Sequence, residues 1–280
     1  MKLVTQLACR LYKRKQNPSF HLKNNPIMNY RFFQLLVFCL LLSLLSCEND
    51  EEEIQLTDQD LLENTIIDFE ARTGIRIFYE PGDSELQNQL EIDHAVDDDD
   101  YANVPYSHLY SDITKLMRVI DDFPVEFIED LELDAILVID TNPPRWLGHA
   151  TKRRYSSVAF DGLNYLKNKT LVAHELFHIF DPGLPIINAT SEYETSWSAL
   201  NPPGFAYGDG CVITSGLNSS PSTGFINDYS RCKPFEDRAI VFSFLYAKYG
   251  QLQLLRESDS FLDGKAEFIE DYLSDYSFEF

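Results

Sequence analysis

The chain has 280 residues, of which 44% are hydrophobic and 13% aromatic. This is enough apolar surface for a packed core and too much for a disordered chain. Asp and Glu number 45 against 23 Lys and Arg, so the formal net charge is −22. Charge of this sign repels nucleic acid and anionic lipid headgroups, and the composition therefore argues against a nucleic-acid-binding protein.

The N-terminal segment differs in charge from everything after it. The first 46 residues contain seven basic residues and no acidic one. Met28 opens a segment whose apolar run, FFQLLVFCLLLSLLS, has 15 residues. That is shorter than the ~20 residues of a spanning helix and typical of a signal-peptide core. We predict a signal peptide over residues 28–46, and we treat residues 1–27 as an upstream mis-start outside the fold.

The apolar run ends in Leu44-Leu45-Ser46-Cys47, which resembles the lipobox of bacterial lipoproteins. The resemblance implies cleavage before Cys47, lipidation of Cys47, and an outer-membrane lipoprotein on the cell surface or the periplasmic face. The alternative is a membrane anchor with an incidental cysteine. Residues 47–56 are acidic and resemble the tethers that direct Bacteroidetes lipoproteins to the surface; the alternative is a solvated spacer.

Residues 57–280 are expected to form one α+β domain. Thr57 can cap a first helix and Gly74 can end it, and IRIFYE then predicts a strand. The polar stretch through residues 97–100, four aspartates, predicts a surface loop, because the ligand spacing of an EF-hand calcium site is missing. The segment SHLYSDITKLMRVIDDF has helical spacing.

The second half alternates regular and irregular stretches. Residues 135–139 are a continuous apolar run that predicts a buried strand, and residues 155–160 alternate as in a strand. Residues 182–234 are rich in Pro, Gly, Ser and Asn and predict a long irregular region, which inside a compact domain is usually functional. Helical periodicity returns in FEDRAIVFSFLYAKYG and in GKAEFIEDYLSDY.

The motif that points to chemistry is HELFH, at residues 174–178. Asn168 or Thr170 can cap its helix, and Pro182 disfavours helical geometry at Asp181, so the helix is expected over about residues 170–180. Apart from Glu175, the residues between and around the two histidines carry no charge, which predicts a helix buried on nearly all sides: Val172, Ala173, Leu176, Phe177, Ile179 and Phe180.

Two imidazoles and a carboxylate are costly to bury in such a helix unless something binds them. His174 and His178 lie one turn apart on one face, so both can reach one metal ion. Glu175 projects beside them, where it can contact a water without binding the metal. We predict a zinc site rather than a helix that happens to contain two histidines.

A catalytic zinc needs a third protein ligand. The metzincin pattern HExxHxxGxxH is excluded, because Asp181 and Leu184 occupy its glycine and last histidine. His94, His108 and His149 lie upstream of the motif, where zincins of this kind do not place the ligand. The third ligand is therefore expected further along the chain.

Residues 224–239, GFINDYSRCKPFEDRA, carry a family resemblance. An aromatic GF(V/I)xxY segment followed by an ExxA helix resembles the gluzincin-type zinc-binding metallopeptidase lipoproteins of Bacteroidetes, and more distantly the lethal-factor type of metalloprotease. Genes of the lipoprotein family commonly adjoin outer-membrane nutrient importers, so its members are called import-associated zinc metallohydrolases. The resemblance implies a zincin-like α+β domain with a small mixed sheet, an active-site helix and a helical C-terminal part.

The same resemblance implies a role for each matching residue. His174, His178 and Glu236 would bind Zn²⁺, Glu175 would be the general base, and Tyr229 would donate a hydrogen bond to the transition state. The implied reaction is the hydrolysis of a peptide bond by zinc-activated water, in an endopeptidase that acts on a peptide or protein.

Several alternatives stay open at this point. Asp237 is a rival third ligand and Asp228 a weaker one, while Glu236 can simply be a carboxylate favoured at a helix N-terminus. Tyr229 can have an ordinary packing role. The family often has a second glutamate four residues after the ligand, and this chain has Ile240 there.

Two other classes of function compete with the peptidase. One is a non-catalytic, zinc-containing accessory binding lipoprotein of a nutrient-import system; the other is a hydrolase of non-peptide amides. For a peptidase, we expect an extended substrate to pair with the strand at residues 155–160 as an added edge strand.

Cys211 and Cys232 are the cysteines left beyond the predicted lipidation residue. In an oxidising compartment they can form a disulfide that closes a loop of about 20 residues. Two free, buried thiols are the alternative.

Overall fold

A computed structural model describes residues 56–101, 104–141, 143–181, 191–211, 221–278 and 280. The predicted mis-start, the signal peptide, Cys47 and tether residues 47–55 lie outside these ranges. The residues from Leu56 onward form one compact unit. Among its described helices, none combines the length and the apolar character needed to cross a membrane.

The helices and strands follow one another as α1 (Asp58–Thr73), β1 (Arg76–Phe78), α2 (Glu85–His94), α3 (Tyr106–Asp121), α4 (Val125–Asp130), β2 (Ala135–Ile139), β3 (Gly148–Lys152), β4 (Ser156–Asp161), α5 (Lys169–Phe180), α6 (Ser191–Ser198), α7 (Pro234–Ala247), α8 (Tyr249–Arg256) and α9 (Ser260–Tyr272). The four strands make one small mixed sheet, in agreement with the expected α+β class.

The first helix shows how closely local signals match the structure. The Thr57 side chain accepts a hydrogen bond from the Asp60 backbone N–H, and the Asp60 carboxylate accepts one from the Thr57 backbone N–H. This reciprocal pair is a capping box. Gly74 ends α1 with φ of 76°, in the left-handed region that a glycine adopts without steric cost.

The sheet order is β1-β2-β4-β3. β1, β2 and β4 run parallel, whereas β3 is antiparallel to β4 and stands at the edge. The expectation that a peptide would pair with residues 155–160 is therefore wrong, because β4 is already hydrogen-bonded to a strand on each side. The edge strand next to β4 is β3, whose sequence GHATK has no apolar run that would have predicted it.

The polar stretch after β1 is more ordered than a surface loop. Ser84 caps α2 by accepting a hydrogen bond from the Gln87 backbone N–H, and Leu86 and Leu90 bury one face of this helix. The aspartates that follow form a short 3-10 turn in which Asp100 is buried and pairs with Arg145. The loop prediction was wrong for residues 85–94, which form α2, whereas Asp97, Asp98 and Asp99 are exposed as predicted.

The helix that carries HELFH lies between the sheet and the C-terminal helices. α5 contacts β3 and β4 on one side and α7 on the other. The region of residues 182–234, predicted as irregular, contains α6 in its described part; residues 182–190 and 212–220 are outside the description. The consequence of this layering is that side chains of α5 meet both the edge strand and α7.

Candidate metal centre

The α5 helix matches its predicted bounds and its predicted burial. Asn168 accepts hydrogen bonds from the backbone N–H groups of Thr170 and Leu171, which satisfies two of the donors that a helix N-terminus leaves unpaired. Ten of the twelve residues of α5 are buried. The helix ends before Asp181, the residue that precedes a proline. His174, Glu175 and His178 therefore sit in a protein interior, not on a solvent-facing helix.

Three potential ligand atoms converge between α5 and α7. The Nε2 atoms of His174 and His178 are 3.0 Å apart. The Glu236 carboxylate oxygen Oε2 lies 3.2 Å from the first and 3.3 Å from the second. The histidines are 4% and 6% exposed, so this group of polar atoms is sequestered from bulk water.

This arrangement fits a zinc ion. In tetrahedral coordination with bonds of about 2.0–2.1 Å, neighbouring ligand atoms are roughly 3.3 Å apart. The three distances here, 3.0 to 3.3 Å, are close to that spacing. Two imidazoles and one carboxylate are also a donor set that zinc uses in catalytic sites. In the part of the chain that the structure describes, no fourth His, Cys, Asp or Glu joins the group.

The rings of the two histidines are held by packing. The Nδ1 atoms of His174 and His178 are buried and have no hydrogen-bond partner within the described ranges. The His178 ring instead meets Phe235 edge to face at 5.6 Å, and the His174 ring lies 6.3 Å from the ring of Tyr229. These contacts orient the two imidazole rings through an aromatic residue just before α7 and another in its first turn.

Charge and burial act on the site's ionisable groups in opposite directions. Burial disfavours a charged Glu236, but hydrogen bonds and charge from both histidines outweigh it and hold the pKa of the Glu236 carboxyl well below its usual range. Burial also lowers the pKa of His178, and the Glu236 carboxylate more than reverses this, so the pKa of His178 is raised. Glu236 is thus an anion within this pocket.

Glu175 lies beside the ligand cluster and against the edge strand. It is 5% exposed, and burial raises the pKa of its carboxyl. A Cβ atom placed on Gly148 of β3 would lie 2.5 Å from Glu175 Cγ and Oε1. The glutamate side chain therefore occupies the space that a larger residue at the start of β3 would need.

Tyr229 lines the same cavity as Glu175. It opens a short 3-10 turn, Tyr229–Arg231, just before α7. Burial, together with the Glu236 carboxylate, raises the pKa of the Tyr229 phenol well above its usual value. The hydroxyl is therefore protonated at neutral pH, and the Glu236 carboxylate is near enough to accept a hydrogen bond from it.

The two rival ligands lie elsewhere. Asp237 is fully buried, accepts hydrogen bonds from Lys265 Nζ and from the Tyr207 hydroxyl, each at 2.7 Å, and faces away from the histidines. Asp228 precedes the 3-10 turn and is not among the described residues that line the cavity. Of the three carboxylates considered from the sequence, the structure brings Glu236 to the histidines.

Buried ion pairs support α7 next to Glu236, and sequence reasoning missed them. Arg238 is fully buried and donates to Asp181 at 2.7 Å and to Glu194 at 2.8 Å. Asp181 directly follows α5, so this contact ties the end of the HELFH helix to α7. The sequence signal that could have predicted these buried ion pairs is the charged pair Asp237-Arg238 near the start of an otherwise apolar helix.

A cavity of about 520 Å³ opens onto the ligand cluster, a size usual for small-molecule and peptide sites. The edge strand contributes one wall through Gly148, His149, Ala150 and Thr151, and Arg153 extends it. The other wall is formed by Tyr229, Lys233 and Phe235. The three potential metal ligands thus lie in an open cavity that a substrate can enter.

One cavity residue, His149, was set aside in the sequence because it lies upstream of the motif. Its Nδ1 is 2.9 Å from Nδ1 of the buried His94, whose Nε2 is 2.9 Å from the Ser157 hydroxyl. Burial lowers the pKa of both histidines, that of His94 to about 3. Both rings are therefore neutral at neutral pH, and one Nδ1 donates while the other accepts.

The structure joins Cys211 and Cys232 in a disulfide, with a Cα–Cα distance of 4.7 Å. Cys232 directly follows the 3-10 turn that begins at Tyr229. The bond therefore links Cys211 to the segment that carries the cavity residue Tyr229. Of the two states left open by the sequence, the structure contains the bridged one.

Comparison with known proteins gives a limited result. No protein-family profile and no curated protein matches the chain. A crystal structure of a "putative zinc-binding metallo-peptidase" from Bacteroides caccae is similar in fold, with 14% identity, a TM-score of 0.48, and coverage of 78% of this chain and 86% of that one.

Fold and site together define a mixed α/β protein with a buried His-His-Glu cluster that could hold a metal ion at the base of a cavity.

Proposed function

We propose that this chain is a zinc-dependent hydrolase, and specifically an endopeptidase of the gluzincin type. The observation that carries the proposal is the convergence of His174, His178 and Glu236 within 3.3 Å at the base of an open cavity. Catalytic zinc sites have three protein ligands and an open position, whereas structural sites are closed by four. When bound here, zinc would act as a Lewis acid and lower the pKa of water from 15.7 to about 7.

Glu175 is the group placed to move protons. Its carboxylate lines the cavity next to His174, where it would accept a proton from the attacking water at Oε1 or Oε2. It would then deliver that proton to the nitrogen of the departing amine. The carboxylate is buried and occupies space beside Gly148 that a side chain at that position would need. It therefore lies within the cavity lining, where a general base must be in reach of the proton that it accepts.

Tyr229 is placed to stabilise negative charge. Tyr229 lines the cavity together with residues of the edge strand, and its hydroxyl is protonated at neutral pH. A hydrogen bond from it to the carbonyl oxygen of the substrate would strengthen as that oxygen becomes an oxyanion. On this proposal Tyr229 lowers the barrier without exchanging a proton.

The edge strand β3 supplies a docking surface for an extended peptide. Its residues from Gly148 to Thr151 line the cavity, and β4 pairs with only one of its edges. A peptide can add to such an edge through main-chain hydrogen bonds that alternate along it. N-methylation of successive backbone nitrogens in a bound peptide should weaken binding at every second position; equal effects at all positions would contradict this docking mode.

A direct assay tests the enzymatic proposal. The purified protein should bind one equivalent of zinc, and it should cleave a denatured protein substrate in a reaction that stops with chelator and resumes with added zinc. Glu175→Gln should bind the same zinc and lose about 10²–10⁴-fold of activity, the contribution of a general base. Equal cleavage by Glu175→Gln and wild type would refute the mechanism.

The same assay separates the competing functions. A non-catalytic accessory protein would bind zinc and cleave no substrate. A hydrolase of non-peptide amides would cleave a small acylated amide in a Glu175-dependent reaction and leave denatured protein intact. The three-ligand cluster and its open cavity support a catalytic site over the accessory alternative.

For the location, we propose on sequence grounds an outer-membrane lipoprotein anchored at Cys47 and associated with a nutrient importer. Labelled palmitate should enter the wild-type protein in cells and be absent from Cys47→Ser. Protease treatment of intact cells distinguishes a surface position from the periplasmic face, and co-purification of an importer tests the partner.

A further inference from the structure

The charge of the cavity differs from that of the protein. The chain carries a net charge of −22. Apart from the His-His-Glu cluster and Glu175, however, the charged side chains that line the cavity within the described ranges are Arg153 and Lys233, both cations. Arg153 extends the edge-strand wall and Lys233 belongs to the wall formed before α7.

Arg153 is already partly neutralised. Its guanidinium lies 3.5 Å from the carboxylate of Asp93, which is buried. The Arg153 side chain remains 60% exposed, so it still presents donor groups to the cavity. Its contribution to the field inside the cavity is nevertheless reduced by the neighbouring anion.

Lys233 has no such counter-charge. It is exposed, its ammonium lies 5.2 Å from the centre of the Phe235 ring, and no carboxylate pairs with it in the part of the chain that the structure describes. Phe235 holds the ammonium by a cation–π contact without neutralising it. Lys233 is therefore the principal unpaired positive charge on the cavity wall.

The local structure gives no reason for a lysine at this position. Lys233 is the N-cap residue of α7 and makes no capping hydrogen bond. N-caps favour Ser, Thr, Asp and Asn, and the partial positive charge of a helix N-terminus disfavours a cation. A residue that conflicts with its local setting is expected where a functional requirement overrides it.

We propose that Lys233, assisted by Arg153, selects peptide substrates that carry a carboxylate side chain next to the scissile bond. The inference rests on the proposed peptidase function and names the substrate class of that same site. The acidic side chain would pair with the Lys233 ammonium as the peptide lies along β3. An acidic protein repels such peptides at long range, so the discrimination has to arise inside the cavity.

The test uses binding, so that it does not depend on turnover. Glu175→Gln, loaded with zinc, is titrated with fluorescent peptides that are identical except for Glu, Gln or Lys, placed in turn at the three positions on each side of a fixed central bond. The Glu peptide should bind about fivefold more tightly than the Lys peptide at one or two positions, the size expected for an exposed to half-buried ion pair. The preference should shrink as salt rises from roughly 0.05 to 0.5 M.

A matched pair of charge reversals assigns the effect to Lys233. Lys248 is at the other end of α7, also next to an aromatic ring, with its ammonium 4.6 Å from the centre of Phe244. Lys233→Glu in the Glu175→Gln background should lose or reverse the preference for Glu, whereas Lys248→Glu should keep it. Lys233→Glu places an anion at a helix N-terminus and should be at least as stable as its parent, so unfolding does not explain the loss.

The outcomes separate this proposal from the proposed function. Tight binding of Glu peptides without cleavage by the wild type would refute the peptidase and support the cationic selectivity. Cleavage with equal binding of Glu, Gln and Lys peptides would overturn the selectivity and leave the peptidase intact. The absence of any peptide binding, or an equal loss in Lys233→Glu and Lys248→Glu, would also overturn the selectivity.

Discussion

The carboxylate of Glu175 lies against the backbone of Gly148. A Cβ atom built on Gly148 would be 2.5 Å from both Cγ and Oε1 of Glu175 and 2.6 Å from its Cδ. A real Cβ atom essentially never lies this close to a non-bonded heavy atom. Any larger residue at position 148 would therefore displace the side chain of Glu175. The edge strand thus contributes to the position of the proposed base as well as to the cavity wall.

Substitution of Gly148 should impair catalysis and spare the metal. Gly148→Ala is expected to move the Glu175 carboxylate and to lower kcat/KM by about 10²-fold, the loss expected when a catalytic group is displaced by roughly 1 Å. Zinc affinity should be unchanged, because the three atoms nearest to the added Cβ all belong to Glu175 and none belongs to a proposed ligand. Gly250→Ala is the control, since a Cβ there meets no atom within 4 Å; activity of Gly148→Ala within twofold of wild type would contradict the prediction.

The third ligand can be assigned by comparing two neighbouring carboxylates. Glu236→Gln removes the anion that lies 3.2 Å from His174, and zinc affinity should fall by more than about 100-fold, beyond the loss typical of residues that contact a ligand indirectly. Asp237→Asn should retain zinc as long as the variant protein is folded. The measurement is zinc content after dialysis against a competing chelator, beside thermal unfolding. Zinc loss confined to folded Asp237→Asn would reverse the assignment.

The buried pair Lys265 and Asp237 should behave as a coupled unit. Both side chains are fully buried and their charged atoms are 2.7 Å apart. Burial raises the pKa of the Asp237 carboxyl and lowers that of the Lys265 ammonium, each against the effect of its partner. The charge of each group therefore depends strongly on the presence of the other.

Removal of one partner of this pair should be more damaging than removal of both. Lys265→Met leaves an uncompensated carboxylate and is expected to cost about 3–5 kcal/mol of unfolding free energy. The double variant Lys265→Met, Asp237→Leu should regain part of that loss, because no charge remains buried. Urea unfolding of the wild type, both single variants and the double variant gives a double-mutant cycle. If the losses of unfolding free energy in the single variants simply add up in the double variant, the pair is not coupled.

The disulfide is expected to stabilise the fold without acting on the metal. Cys211 and Cys232 are 21 residues apart, and closing a loop of this length contributes about 3 kcal/mol in the chain-entropy view. The double substitution Cys211→Ser, Cys232→Ser should lower the unfolding free energy by about that amount and leave zinc stoichiometry unchanged. Reduction of the wild type should reproduce the loss and have no effect on the variant; an equal response of both proteins to reductant would contradict this.

The sequence was most informative where the geometry is local. His174, Glu175 and His178 lie within about one helical turn, so the 3.6-residue period alone places them side by side, and the uncharged neighbours predicted their burial. The helix capped at Thr57 and the apolar strand at residues 135–139 were predicted for the same reason. In each case the decisive contacts are made by residues close in the chain.

Features that depend on packing between distant segments were either not predicted from the sequence or were predicted only through the family resemblance. Glu236 is 62 residues from His174, and its approach depends on how α7 packs against α5. The edge position of β3 could not be predicted, because GHATK has no apolar period and its place follows from the pairing of β4. The Lys265 and Asp237 contact depends on the docking of α9, which leaves no local pattern.

The buried histidine behind the cavity should make stability depend on pH. Burial lowers the pKa of His94 from 6.5 to about 3. Below pH 6.5 the unfolded chain takes up a proton at this residue while the folded protein stays neutral down to about pH 3. The unfolded state therefore binds more protons in this window, and the unfolding free energy falls as the pH is lowered.

The expected size of that effect follows from the width of the window. Between pH 7 and pH 5 the His94 contribution should fall by about 2 kcal/mol, at 1.36 kcal/mol per pH unit below 6.5. Urea unfolding of metal-free wild type and His94→Gln at both pH values isolates the contribution, since the other titrating groups are common to both proteins. His149 belongs to the same hydrogen-bonded pair and its pKa is also lowered, so His149→Gln should show a change in the same direction. If wild type and His94→Gln lost the same unfolding free energy between pH 7 and pH 5, a neutral, buried His94 would be ruled out.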